Sequence, residues 1–115
     1  MKSGAQAMEH DFEEQRRTTE AVLEDLADRH DLPARATLDL QFLPVAGADW
    51  AGVVAALADA GYAGQAVADE EGDWFEVAVA DVPLTLDGIW KHERATTEVA
   101  LSCGFRPDGW GFFVG

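Results

Sequence analysis

The feature that most constrains this chain is the order in which two hydrophobic periods succeed one another. In ATLDLQFL, Ala36 to Leu43, the apolar Leu38, Leu40 and Phe42 alternate with Thr37, Asp39 and Gln41. That period of two places alternate side chains on opposite faces of a strand. Pro44 to Gly47 reads as a loop, and Asp49 as the cap of a helix from Trp50 to Ala60, with Val53, Val54 and Leu57 inward and Gly61 as its stop. An alanine-rich strand, Tyr62 to Asp69, turns through DEEGD, Asp69 to Asp73, into a third strand, Trp74 to Ala80. Phe75, Val77 and Val79 share one face of that third strand, and Trp74, Glu76, Ala78 and Ala80 share the other.

Pro83 ends the hairpin, and Thr85 caps a second helix, Leu86 to Cys103, whose inner stripe is Ile89, Thr96, Val99, Ala100 and Cys103. Gly104 stands just past it, with Phe105 placed to pack back on the last turn. Arg106 to Gly109 reads as a turn with Pro107 second, followed by a last strand with Trp110, Phe112 and Val114 on one face and Gly111 and Phe113 on the other. A glycine inside that strand predicts a bulge or a close approach.

The order β-α-β-β-α-β predicts a ferredoxin-like α+β sandwich: one four-stranded antiparallel sheet with both core helices on the same face. This core spans residues 36–114 of a single 115-residue domain, behind an additional helix over 9–31 and a flexible stretch at 1–8. Met8, Phe12, Thr19, Val22, Leu23 and Leu26 form the apolar stripe of the leading helix. The second face of the sheet, or its edge, is where that stripe is expected to bury.

Charge narrows the partners. Eight Lys and Arg against 22 Asp and Glu give a net charge of −14. Such a surface opposes phosphate backbones and anionic membranes, which argues against direct nucleic-acid binding, and it favours the approach of a basic protein partner. The single cysteine, Cys103, cannot close an internal disulfide, and MKSGAQAMEHDFEEQRR has no apolar core of a signal peptide. With no apolar run of membrane-spanning length, the expected location is the cytoplasm.

Neither a cofactor nor a catalytic group is expected. His10, His30 and His92 lie apart, Cys103 falls on a buried stripe, and no phosphate-binding or dinucleotide glycine pattern occurs. No metal site is expected either. Glu9, His10 and Glu13/Glu14 lie one turn apart without a completing cluster, and DEEGD lacks the terminal Glu of a calcium loop.

Three segments carry a family resemblance: the acidic helix EEQRRTTEAVLEDL, the helix end ALADAGY (Ala56 to Tyr62), and DGWG (Asp108 to Gly111) directly after the last helix. With these, the chain resembles the regulator of ribonuclease activity B family, over about Glu13 to Phe113. The resemblance implies a non-catalytic cytoplasmic protein that binds the basic scaffold region of ribonuclease E and alters RNA turnover.

The candidate partner-binding residues are Glu13, Glu14, Glu20, Glu24, Trp74, Trp90, Asp108 and Trp110. The four glutamates would present an acidic helix face, or simply a solvated one. Trp110 is expected as a core anchor beside Phe112. Trp74 and Phe113 point away from the core helices, to be covered by the leading helix or left open. Trp90 stands either as an exposed contact or packed under a loop. Two other readings share the fold: a small-molecule sensor or enzyme with a pocket between the leading helix and the sheet, and a domain that self-associates as a homodimer through its sheet.

Overall fold

The computed structural model describes residues 10–113. The first eight residues, expected to be flexible, and Val114 lie outside them. Seven elements follow in chain order: α1 (Phe12–Arg29), β1 (Arg35–Pro44), α2 (Trp50–Asp59), β2 (Ala63–Asp69), β3 (Gly72–Pro83), α3 (Leu86–Ser102) and β4 (Phe105–Phe113). Among the described residues the fold is α+β, three helices with one four-stranded antiparallel sheet in the order β2-β3-β1-β4.

The alternation in β1 explains its central place. Leu38, Leu40 and Phe42 are buried on one face, opposite Val79, Val77 and Phe75 of β3. α2 and α3 cover that face with Val53, Leu57, Ile89, Thr96 and Ala100. Each large apolar side chain buried here contributes about 1.5–3 kcal/mol. Phe105 closes the core between Trp50, edge-on with ring centroids 4.9 Å apart, and Phe75 at 5.9 Å.

The caps form where their chemistry places them. Asp49 Oδ1 accepts from the Gly52 amide at 2.9 Å, and Thr85 Oγ1 accepts from the Gly88 amide at 3.0 Å. Gly104, at φ 87°, turns the chain out of α3 where an added Cβ would meet Ala48 Cα at 2.9 Å. Gly64 lets the Phe75 ring lie against β2, since a Cβ there would come within 2.5 Å of the ring.

Four expectations are corrected. The leading helix does not cover the second face of the sheet; α1 packs on α3, on the helical side. Its inward groups include the polar Gln15 and Thr19, which find hydrogen-bond partners on α3. The helix is also shorter than 9–31. Asp11 caps it, with Oδ1 accepting from the Glu14 amide, and the chain leaves it at His30.

Nor is Arg106 to Gly109 a turn. β4 starts at Phe105, paired with Pro44, and its register slips between Phe42↔Pro107 and Gln41↔Gly109. Asp108 is the extra residue of this bulge, and Gly109 absorbs it at φ 120°. Pro107 is tolerated because β4 is an edge strand. The bulge therefore lies at Asp108, not at Gly111, where an added Cβ would meet nothing within 4 Å.

Among the described residues no helix is long and apolar enough to cross a membrane.

Candidate functional site

Two surfaces collect chemistry. The first is the second face of the sheet, which no helix of the described residues covers. Pairing across the strands sets Gln65, Glu76, Gln41 and Gly109 in one row and Ala63, Ala78, Asp39 and Gly111 in the next. Partial burial, and then the neighbouring Glu76 charge, push the Asp39 carboxyl above its usual range. Of the strand residues only Arg35 and Arg106 are basic, and Arg35 is held by Asp81 at 2.7 Å. Trp74 lies on this face, its indole N–H donating to Glu76 Oε2 at 2.7 Å, and Phe113 is 53% exposed.

At the hairpin end the same face runs into a cleft of about 310 Å³ lined by Gln41, Asp69, Glu71, Asp73, Trp74 and Asp108. Asp69 shapes the turn by accepting from the amides of Glu71 at 2.8 Å and Gly72 at 3.1 Å.

The second surface is a cleft of about 530 Å³ between α1 and β4. Glu93 of α3, only 5% exposed, lines it. Glu93 Oε1 accepts from the Thr19 hydroxyl at 2.5 Å, and Oε2 accepts from Gln15 Nε2 at 3.0 Å. Gln15 Nε2 also donates to Thr97 Oγ1 at 3.2 Å, while Gln15 Oε1 meets His10 Nε2 at 2.6 Å. The Trp110 indole N–H donates to Thr19 Oγ1 at 3.3 Å. Burial pushes the Glu93 carboxyl above its usual range, against the bonds from Thr19 and Gln15 and the nearby His10, which pull it down.

The sequence candidates fall into three sets. Glu14, Asp108 and Trp110 meet at the α1–β4 cleft, and Asp108 and Trp74 at the hairpin cleft. Glu13, Glu20 and Glu24 are exposed on α1 and line neither cleft. Trp90 is half-buried under the start of α1, edge-on to Phe12 at 6.4 Å, with the Arg94 guanidinium 4.7 Å from the Phe12 ring centre. It packs under a helix, neither an open contact nor a residue under a loop. Trp110 is half-buried: its indole rests on the core edge and also forms a wall of the larger cleft.

Glu93, Gln15 and Thr97 escaped the sequence reading. The signal was present, since Glu93 sits between Ile89 and Thr96 on the buried stripe of α3. A further polar contact, the Tyr62 hydroxyl with His92 Nδ1 at 2.9 Å, joins α3 to the residue just before β2. Burial raises the tyrosine and, with the Lys91 charge, lowers the histidine.

Among the described residues no group of three or more His, Cys, Asp or Glu is arranged to hold a metal ion. No protein-family model matches the chain, and no curated protein matches it.

Proposed function

We propose that this chain is a non-catalytic, protein-binding regulator of RNA degradation, built as a ferredoxin-like sandwich and related to the regulator of ribonuclease activity B family. Its partner is a basic protein segment, such as the scaffold region of a ribonuclease E, met in the cytoplasm without direct contact to nucleic acid. The strand order, with α2 and α3 on one face, supports the architecture.

One observation carries the partner class. The face of the sheet that no described helix covers sets the Asp39 carboxyl diagonally across from Glu76, and partial burial first, then the Glu76 charge, raise Asp39 above its usual range. A cationic segment laid across Asp39 and Glu76 relieves that repulsion, and Trp74 supplies a flat apolar contact beside them. The acidic hairpin cleft extends the same surface. This moves the binding face from the α1 glutamates to the sheet.

The test is a titration of the intact protein with the basic scaffold segment of its host's ribonuclease E. Binding is expected at low ionic strength, to weaken steeply with added salt, and to drop for a doubly neutralised Asp39→Asn, Glu76→Gln variant. No binding at low salt, or binding indifferent to both salt and the double variant, refutes the reading. Light scattering on the free protein reports whether the sheet face pairs with a second copy instead.

A further inference from the structure

We propose that the cleft between α1 and β4 binds a small organic cation with a flat or apolar body, an amidinium, guanidinium or aryl-ammonium group. This site opens on the helical side of the sheet, shares only Asp108 with the hairpin cleft, and does not rest on the proposed partner.

Three features of the cleft converge on that chemistry. The first is Glu93. It is a buried carboxyl whose two oxygens each accept one hydrogen bond, from Thr19 and from Gln15. A carboxylate has acceptor capacity beyond two bonds. Among the described residues no Lys or Arg forms an ion pair with it. Buried carboxylates ordinarily carry a counter-charge, and the open side of this one is the cleft.

The second feature is the wall. The Trp110 indole is oriented by its bond to Thr19 and lies along the cleft. An indole face attracts a cation within about 6 Å of its centre, and stacks flat groups. The third feature is the rim, where Asp11, Glu14 and Asp108 line the opening. No Lys or Arg lines the cleft among the described residues, so the carboxylates on its walls and rim oppose an anion. A cavity of about 530 Å³ accommodates a ligand the size of a substituted benzene ring.

The bulge is what assembles this site. By carrying an extra residue, β4 brings Asp108 to the rim, two residues before Trp110 on the wall. The DGWG segment therefore has a role in binding as well as in closing the sheet.

The experiment holds ring shape constant and varies charge. The isotope-labelled intact chain is titrated with benzamidine, benzamide and benzoate, and the Trp110 indole signal and the Gln15 and Thr19 amide signals are followed. Benzamidine is expected to shift these signals saturably, benzamide to bind at least about fivefold more weakly, and benzoate to leave them in place. An Asp108→Asn, Glu14→Gln variant, altered only at exposed rim positions, is expected to weaken benzamidine about three- to tenfold with unchanged thermal unfolding. A parallel arm uses N-acetylarginine methylamide: saturation of the same signals traces the cation to a peptide arginine, and failure alongside benzamidine binding traces it to a free molecule. Equal binding of benzoate, shifts confined to Trp74, no saturable shift with either cation, or full affinity in the folded double variant each overturns the proposal.

Discussion

Removing the Glu93 carboxyl should be felt across the whole α1–α3 contact. In Glu93→Ala the Thr19 hydroxyl, 1% exposed as a residue, loses its acceptor, and one Gln15 N–H loses its own. An unpaired buried donor costs about 1–3 kcal/mol. Gln15 retains Thr97 as an acceptor, and the truncation opens Thr19 toward the cleft it lines, so the lower half of that range applies to each. The sum is about 2–4 kcal/mol, a fall of roughly 10–15 °C in the unfolding midpoint for a domain of this size.

Glu93→Gln separates charge from shape. In the native chain the Glu93 carboxyl titrates above its unfolded value near 4.5, so the folded state holds the proton more tightly. Stability is then full below that value and is lost as pH rises through the higher folded pKa. The glutamine variant lacks this loss, so its deficit relative to the native protein should shrink as pH rises. Urea unfolding of both proteins at intervals from about pH 4 to pH 8 measures the difference. Asp39 slopes the same way in both proteins and cancels. Identical pH profiles for the two proteins, or an unchanged midpoint in Glu93→Ala, would refute the reasoning.

Two further outcomes follow from packing. Gly64→Ala should destabilise by about 1–3 kcal/mol in chemical unfolding, because its Cβ is driven into a Phe75 ring that has no exposed space to enter. Trp110→Ala should cost about 2 kcal/mol, less than the about 3–5 of a fully enclosed tryptophan, since one side of its ring faces the cleft. Trp74→Ala, on the uncovered face, should cost less still while weakening the basic partner, so calorimetry and a binding titration together rank the two tryptophans.

What could be read from the chain were the local signals. The alternation through Leu38, Leu40 and Phe42, the caps Asp49 and Thr85, and Gly104 past α3 each act within a few residues, and each forms as expected. Such features depend on backbone geometry and on hydrogen bonds between near neighbours, which a sequence displays directly.

Other features required the assembled molecule. Whether α1 lies on the sheet or on α3 turns on a match between Gln15, Thr19 and Glu93 across separations of 74 residues or more. An apolar stripe alone carries no address, because it lowers its free energy against any apolar surface; the directional bonds to Glu93 select one. The bulge at Asp108 likewise arises because β1 extends to Pro44 and offers β4 pairing from Phe105 onward, a length decided by the partner strand. Strand periods, caps and stops were therefore set within short windows of the chain. The buried acid, the two clefts and the bare face exist only through contacts between distant residues.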